Sequence, residues 1–309
     1  MKIVVVGAGA VGGWYGGKLA EAGHAVHLVT RSDAAAIAAQ GLRLRDQLGE
    51  RVVRVASATV DTEGLPPCDL VIVAAKSTAN AGLPALVRPL LGPDTRLLTL
   101  QNGMGNVEAF GSLLPAERIV AGLCFVCINR VAPGVTENTL AGHVRMAAAQ
   151  GPANAAVRTC VTLFAEAGLD CRSEDSLEAV LWKKLCWNVP FNGLAIAAGG
   201  LTTDRIVGDP TLRARARRLM DEVASAAAAR GHAFDEKHIR WQFEMTDGMG
   251  PYRPSSLIDY LAGREVELEG IWGEPLRRGE AAGVAMPELR ALLDEIRTRL
   301  AARRGSLLG

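Results

Sequence analysis

The chain has 309 residues, of which 49% are hydrophobic and 5% are aromatic. This length predicts about two domains of ordinary size, and the composition supports a large core without long disordered segments. The formal net charge is +1, from 34 basic and 33 acidic residues. Such a balanced charge argues against nucleic acid or a membrane surface as a partner, so a small molecule is the expected ligand.

The first half of the chain alternates strand-like and helix-like runs. We predict strands at Lys2–Val6, 25–29, 70–74 and 96–100, helices at 10–22 and 79–91, and shorter strand-like runs at 119–126 and 144–148. The first run is almost wholly apolar, as a strand buried on both faces of a parallel sheet should be. This alternation predicts an α/β fold with a doubly wound parallel sheet of the Rossmann type.

The second part of the chain has a helical pattern throughout. The segments compatible with helices are 176–198, 210–230, 235–244, 264–282 and 287–302. The change near Gly168–Cys171 predicts a boundary between a Rossmann domain at 1–170 and an all-helical domain at 171–309. One predicted helix carries four arginines, which favour a solvated helix face over a phosphate-binding site: Arg213, Arg215, Arg217 and Arg218.

The N-terminus and the cysteines carry no targeting, disulfide or metal signal. The apolar run that begins at Met1 is broken at Gly7, too early for a signal peptide or a membrane span. Among six scattered cysteines, Cys124 and Cys127 have metal-knuckle spacing, but no second pair or nearby histidine cluster completes a site. We therefore expect packed, reduced thiols, no metal, and a cytoplasmic protein.

A glycine-rich segment follows the first predicted strand. Gly7-Ala8-Gly9-Ala10-Val11-Gly12 matches the GxGxxG pattern and opens a predicted helix, which is the context that a dinucleotide site requires. Gly7 permits a tight turn, Gly9 lets the backbone approach a pyrophosphate, and Gly12 allows close packing of helix on strand. N–H groups at the helix N-terminus would then bind the pyrophosphate. A tight turn without a ligand is the alternative.

The end of the second predicted strand indicates which nucleotide binds. An NAD site has Asp or Glu there to accept hydrogen bonds from the ribose hydroxyls, but this chain has Val29-Thr30-Arg31-Ser32. A carboxylate would repel a 2′-phosphate, whereas Arg31 can bind it through a charge-assisted hydrogen bond. The pattern favours NADPH, and a solvated loop arginine is the alternative.

A pair of lysines lies within a strongly apolar predicted helix at Ala179–Trp187. Reduction of a ketone needs a proton for the developing alkoxide, and a lysine can both stabilise that charge and protonate the oxygen. Lys184, Asn188 and Asn192 are spaced i, i+4 and i+8, so a helix aligns them on one stripe where the carboxamides can bind a polar ligand. Surface lysines and asparagines are the alternative.

These motifs resemble those of the ketopantoate reductase (2-dehydropantoate 2-reductase) family over essentially the whole chain. The matching segments are Gly7–Gly12, Ala74–Lys76, Gln101–Gly105, Leu181–Leu185 with Asn188 and Asn192, Pro254–Asp259 and Gly263–Glu269. The resemblance implies NADPH-dependent reduction of a small 2-keto acid to a 2-hydroxy acid. Conversion of 2-dehydropantoate to pantoate, in pantothenate biosynthesis, is the first expectation.

The resemblance also implies roles for individual residues. Lys184 would be the general acid, Glu267 would orient and charge-pair that lysine, and Asn102 would hold the substrate or the lysine in line with the nicotinamide. The remaining implied ligands are Ser255, Asn188 and Asn192 for the substrate carboxylate and hydroxyl, and Lys76 and Arg31 near the nucleotide.

Two positions depart from the family pattern. Tyr252 and Trp272 stand where the family usually or often has Asn, while Glu267 is retained. The reaction class is unaffected, but the substrate is left open. The alternatives are a reductase of another 2-keto acid or of an imine, and a non-catalytic NADPH sensor, which could dispense with Lys184 and Glu267. The sequence also leaves open whether two subunits form a homodimer.

Overall fold

The computed structural model describes the backbone of residues 1–308 and the side chains of residues 1–303. The chain forms two compact units, Met1–Leu177 and the part from Glu178 onward. This division lies later than the predicted boundary after residue 170. The reason is that Cys171–Ser173 forms a short strand that pairs with the sheet of the first unit.

The N-terminal unit is built on one sheet, which in the described residues has ten strands. They are β1 Lys2–Val6, β2 Ala25–Val29, β3 Leu42–Asp46, β4 Gly49–Val53, β5 Ser57–Thr59, β6 Cys68–Val73, β7 Leu91–Thr99, β8 Ile119–Ala132, β9 Val135–Ala148 and β10 Cys171–Ser173. Their order is β4-β3-β9-β8-β7-β6-β1-β2-β5, with β10 beside β9. All neighbours from β8 to β5 are parallel, whereas β8 with β9 and β3 with β4 are antiparallel. The predicted parallel, Rossmann-type sheet is confirmed.

Helices cover the sheet of this unit. They are α1 Ala10–Glu21, α2 Ala34–Gln40, α3 Leu83–Val87 and α4 Ala155–Glu166. The prediction of one helix over 79–91 is wrong, since 3₁₀ turns at Ser77–Ala79 and Arg88–Leu90 flank the short α3. Pro84 and Pro89 lack the N–H groups that a continuous helix needs.

Strand β1 contributes to the core on both of its faces. Ile3 and Val5 belong to an apolar cluster that includes Leu19 of α1, and Val4 and Val6 belong to a second cluster around α3. A strand covered on both sides cannot alternate apolar with polar residues. The continuous apolar run at the start of the chain has this physical cause.

The unit from Glu178 onward is helical. Its elements are α5 Leu177–Ala197, which begins at the boundary, α6 Thr203–Gly208, α7 Pro210–Ala229, α8 Glu236–Asp247, α9 Ser255–Leu261, a π-helical turn Glu269–Gly273, α10 Glu274–Ala281 and α11 Pro287–Leu308. The helix predicted at 264–282 begins later, at the π-helical turn. No helix among the described residues is both long and apolar enough to cross a bilayer.

The arginine cluster of α7 is held in ion pairs. Arg213 lies 2.6 Å from Asp247 and Arg217 lies 2.6 Å from Glu236, which ties α7 to α8. The other two pairs lead to the C-terminal helix: Arg215 with Glu295 at 2.8 Å and Arg218 with Glu288 at 2.6 Å. Because each of the four guanidinium groups forms an ion pair with a carboxylate, the cluster is not a phosphate site.

The cysteines are free thiols. Burial raises the pKa of Cys68 to about 11 and the pKa of Cys160 to about 12, so neither is a ready thiolate at neutral pH. No group of three His, Cys, Asp or Glu side chains in the described part of the chain is arranged to hold a metal ion.

Candidate active site

The strands at the centre of the sheet end at the same level. Val6 is paired with Val29 on one side and with Val73 on the other, and Val73 is paired with Thr99. The residues that follow these strand ends therefore lie along one edge: Gly7, Arg31, Lys76 and Asn102. Because the chain moves to opposite sides of β1 to form β2 and β6, this edge is a topological switch point, where open α/β sheets bind ligands.

The glycines after β1 have three different surroundings. Gly7 has a φ of +92°, and a Cβ there would lie 2.3 Å from the backbone nitrogen of Ala75. A Cβ at Gly12 would lie 2.4 Å from the carbonyl oxygen of Gly7. A Cβ at Gly9, the N-cap of α1, would meet no atom within 4 Å. Gly7 and Gly12 are thus needed for close packing, while Gly9 leaves open space at a helix N-terminus, as a pyrophosphate site requires.

The segment after β2 contains a carboxylate that the sequence pattern did not single out. Asp33 is only 2% exposed, and its carboxylate accepts hydrogen bonds from Arg130 Nε at 2.7 Å, from the Gly134 N–H at 3.0 Å and from the Ser32 hydroxyl at 2.7 Å. Burial by itself raises the pKa of Asp33, but these hydrogen bonds lower it further than burial raises it. Arg31 is exposed. The carboxylate of Asp33 is therefore hydrogen-bonded to the β8–β9 hairpin. The exposed charged group in this segment is the guanidinium of Arg31.

The loop after β7 is held by a network of carboxamides. Gln101 Nε2 donates to the Ala75 carbonyl at 3.0 Å and to Asn80 Oδ1 at 2.7 Å. Asn106 Nδ2 donates to the carbonyl of Asn102 at 3.0 Å, and its Oδ1 accepts from Asn80 at 3.0 Å. Asn102 itself is half-buried. The network fixes the backbone on which Asn102 lies and joins it to the loop after β6.

That loop carries the other residue assigned to the nucleotide. Lys76 is exposed and precedes the 3₁₀ turn that follows β6. It lies one residue beyond Ala75, the residue against which Gly7 packs. The sheet edge therefore combines a glycine turn, two exposed cations and a half-buried carboxamide, which together can bind an anionic dinucleotide.

In the second unit, helix α5 arranges the predicted lysine and asparagines as expected. It is continuous from Leu177 to Ala197, so Lys184, Asn188 and Asn192 follow one another at successive turns. Lys184 and Asn188 are half-buried, whereas Lys183 is exposed. Partial burial strengthens the interaction of an ammonium group with any nearby negative charge.

Asn192 and Ser255 have different surroundings. Asn192 is 1% exposed, and its Oδ1 accepts a hydrogen bond from the backbone N–H of Ser256 at 3.0 Å. This bond satisfies an N–H group in the first turn of α9, so Asn192 positions the segment that begins at the exposed Ser255. The role of either side chain as a substrate ligand stays a prediction.

Glu267 lies two residues before the π-helical turn, and Trp272 lies within it. Glu267 is only 5% exposed, so its side chain is buried. Trp272 is fully buried, and its Nε1 donates to the Val189 carbonyl of α5 at 3.0 Å. This indole packs in the core and ties the turn to α5.

The other departure, Tyr252, has a different environment. It is half-buried, and its ring centroid lies 6.2 Å from that of Trp187 on α5. The indole N–H of Trp187 donates to the hydroxyl of Thr246 at 2.9 Å, which fixes the ring. Tyr252 thus packs beside the residue that precedes Asn188.

Comparison with known proteins follows the same division of the chain. The family model described as Ketopantoate reductase PanE/ApbA matches residues 3–151, and its C-terminal counterpart matches residues 176–300. A curated protein of Nostoc sp. named 2-dehydropantoate 2-reductase is 34% identical over 96% of this chain and 94% of its own length. A similarly named protein of Halobacterium salinarum is 28% identical over 99% of this chain and 100% of its own length.

Solved structures agree with these matches. The crystal structure of 2-dehydropantoate 2-reductase from Geobacter metallireducens has a TM-score of 0.93 at 36% identity and covers 96% of this chain and 99% of that one. D-mandelate dehydrogenase with NADH and anilino(oxo)acetate, at 24% identity and a TM-score of 0.90 over 98% of this chain and 99% of that one, shares the fold. Both family models, the curated relatives and the solved structures lead to one conclusion: the chain belongs to the ketopantoate reductase family.

Proposed function

We propose that the chain reduces 2-dehydropantoate to pantoate with NADPH. The observation that carries this proposal is the half-buried Lys184 on the stripe of α5 that also bears Asn188, in a chain that matches named reductases over nearly its whole length. A lysine in such a position can protonate an alkoxide, and a carboxamide one turn away can bind a polar substrate.

Lys184 is the proton donor in this proposal. When bound, NADPH supplies the hydride that reduces the keto carbon. Nζ of Lys184 donates its proton to the keto oxygen as that oxygen gains negative charge, and the neutral amine then takes up a proton from solvent. The buried carboxylate of Glu267 has the task of keeping the lysine charged and oriented before the transfer.

The preference for NADPH is proposed from the segment after β2. The fold also accommodates NADH in D-mandelate dehydrogenase, so the choice depends on local charge. Arg31 is exposed and can meet a 2′-phosphate, while the carboxylate of Asp33 already accepts hydrogen bonds from Arg130, Gly134 and Ser32. With Asp33 occupied in this way, it is a poor acceptor for ribose hydroxyls. Gly7–Gly12 would hold the pyrophosphate, and Lys76 would lie near the nucleotide.

The remaining assignments follow from the same proposal. Asn188, Asn192 and Ser255 would bind the substrate carboxylate and hydroxyl, and Asn102 would align substrate or lysine with the nicotinamide. The reaction would take place in the cytoplasm, as a step of pantothenate biosynthesis. A homodimer stays a prediction.

A substrate panel tests the proposal. Purified protein is assayed for loss of NADPH absorbance with 2-dehydropantoate, with 2-oxoisovalerate and pyruvate, and with each keto acid plus an amine. We expect the highest kcat/KM for 2-dehydropantoate, by about tenfold or more over a keto acid that lacks its hydroxyl. A higher kcat/KM for another keto acid, or turnover only with an amine present, would reject the proposed substrate.

A further inference from the structure

A cavity beside α5 takes no part in the proposed reaction. Its volume is about 570 Å³, within the range of small-molecule sites. It is lined by Lys183, Ala233, Phe234, Asp235, Lys237, His238 and Trp241. Lys183 and Lys184 project about 100° apart around α5. The cavity therefore lies beside a different face of α5 from the one assigned to catalysis.

Aromatic rings form one part of the cavity lining. The ring centroids of Phe234 and His238 lie 4.9 Å apart with an interplanar angle of 63°, and those of His238 and Trp241 lie 6.1 Å apart. Trp241 is 50% exposed, an unusual position for an indole. An exposed indole next to two further rings offers a surface on which a planar ligand can stack.

The cavity wall is fixed by polar contacts between α8 and α5. His238 Nε2 lies 3.2 Å from the carbonyl oxygen of Lys183 and 2.8 Å from Nε2 of the buried Gln242. Burial lowers the pKa of His238, which favours the neutral ring. The ring is thus oriented before any ligand arrives, which reduces the entropy lost on binding.

The charged residues of the cavity have an excess of positive charge. Lys183 and Lys237 are exposed, and neither forms an ion pair with a carboxylate in the described part of the chain. The nearby Arg217, by contrast, is paired with Glu236 at 2.6 Å. The carboxylate of Asp235 already accepts a hydrogen bond from the His238 N–H at 3.1 Å as the N-cap of α8. Two unpaired ammonium groups beside an aromatic surface are suited to an anion that carries a ring.

We propose that this cavity binds a small planar aromatic anion. The ring would stack against Trp241, and the anionic group would interact with Lys183 and Lys237. The proposal does not depend on the reductase activity, because none of these residues belongs to the proposed catalytic machinery.

The test measures binding of naphthalene-1-sulfonate to the full-length protein by calorimetry and by quenching of tryptophan fluorescence. We expect saturable binding that weakens as salt is raised. Naphthalene-1-methanol, which lacks the charge, and methanesulfonate, which lacks the ring, should each bind about tenfold more weakly or worse. Equal affinity for the neutral alcohol, or no saturation with the sulfonate, would overturn the proposal.

Variants assign the binding to this cavity. Trp241→Ala should weaken binding of the sulfonate about tenfold, as expected for loss of a stacking platform. The double variant Lys183→Ala with Lys237→Ala should weaken it about fivefold and leave the affinity for naphthalene-1-methanol unchanged. Arg240→Ala is the matched control, since Arg240 is exposed on α8 but does not line the cavity. Affinity that is the same in Trp241→Ala as in the unmodified protein would show that the probe binds elsewhere and would reject the site.

Discussion

The two units present their functional groups in different ways. At the edge of the sheet, the candidate site is formed mainly by the backbone: the turn at Gly7 lies against Ala75, and Gly9 leaves space at the start of α1. In the helical unit, the candidate site is formed mainly by side chains of one helix, with Lys184 and Asn188 at successive turns of α5.

This difference has consequences for mutation. A backbone site is sensitive to any added atom, because its shape is the binding element and is shared with the packing of the fold. A half-buried side chain on a long helix can be removed without disturbing the helix, because the helix is held by its apolar residues. Substitutions in the two units should therefore separate loss of folding from loss of chemistry.

The largest expected effect is on the chemical step. Lys184→Ala should lower kcat about 10²- to 10⁴-fold, because the developing alkoxide then has no positioned proton donor. The affinity for NADPH should change little, since the nucleotide residues lie on the sheet edge of the first unit. Single-turnover measurements separate this loss from slow product release.

Lys183→Ala is the matched control for that substitution. It removes an exposed lysine one residue away, about 100° around the helix, and should leave kcat within about twofold of the unmodified value. Glu267→Gln should give an intermediate loss, because shape is kept while the charge is removed. If Lys183→Ala lowers kcat steeply and Lys184→Ala lowers it only slightly, the assignment of this face of α5 is wrong. Asn188 and Asn192 then lose their assigned roles as well.

The next largest expected effect is a loss of stability on substitution of Gly7 in the glycine turn. Gly7→Ala adds a Cβ only 2.3 Å from Ala75 N at a residue with φ of +92°, so we expect a loss of roughly 2–4 kcal/mol in the free energy of unfolding. Gly9→Ala, whose Cβ meets no atom within 4 Å, should keep the stability but weaken NADPH binding. Thermal melts and nucleotide titrations of both variants measure this. Equal melting temperatures for the two would contradict the packing argument.

Strands with strong local signals were predictable from the sequence. β1 and β2 have the predicted bounds, because both are short runs with a glycine or polar residue at each end. The hairpin of β3 and β4 has no continuous apolar run and is not among the predicted strands, although Leu42–Asp46 alternates apolar and charged residues. The predicted runs 119–126 and 144–148 cover the buried ends of β8 and β9 but not the parts next to the hairpin turn. Buried positions there include the polar Thr136 and Asn138, so the sequence has no continuous apolar run from which these parts could be predicted.

Site residues that belong to a local sequence pattern were also predictable. Lys184 and Gly9 have patterns within a few residues of sequence, and the structure has both in the predicted elements. Asp33 could not be singled out from the sequence, because its partners, Arg130 and Gly134, are about a hundred positions further along the chain. The core position of Trp272, against the carbonyl of Val189, also depends on a contact between distant segments. Local pattern indicates which residue types are present, but long-range contacts decide which of them remain available to a ligand.

The third prediction concerns nucleotide selectivity at the sheet edge. Arg31→Ala should weaken NADPH by about 10-fold, at the low end of the 10- to 100-fold range for a charge-assisted contact, because Arg31 is exposed. NADH should be almost unaffected, since it has no 2′-phosphate. Dissociation constants for both nucleotides test this directly. Lys2→Ala, which removes a cation of the same unit at the opposite end of β1 from Gly7, serves as the control. An equal loss for both nucleotides would mean that Arg31 does not meet the phosphate.

The smallest expected effect is a pH-dependent change in stability at Asp33. Its hydrogen bonds hold the folded-state pKa below the usual value, so the ionised carboxylate contributes its full stabilisation above about pH 4. That contribution is lost as the pH falls through the folded-state pKa, where the group becomes protonated. Asp33→Asn should therefore destabilise the protein by about 1–2 kcal/mol near pH 7, discounted because Arg130 is 37% exposed, and the difference should disappear in strong acid.

Denaturant unfolding of both proteins between pH 7 and pH 2 measures that difference. Glu50→Gln is the control, because the Arg45–Glu50 pair has side chains 46% and 35% exposed, and solvent screening leaves such a pair little effect on stability. A gap between Asp33→Asn and the unmodified protein that stays constant down to pH 2 would mean that the carboxylate's charge is not what stabilises this loop. The selectivity for NADPH should survive the substitution, because the proposal assigns it to the charge of Arg31. If Asp33→Asn abolished selectivity while Arg31→Ala did not, the nucleotide choice would lie with the β8–β9 hairpin that Asp33 holds and not with the exposed arginine.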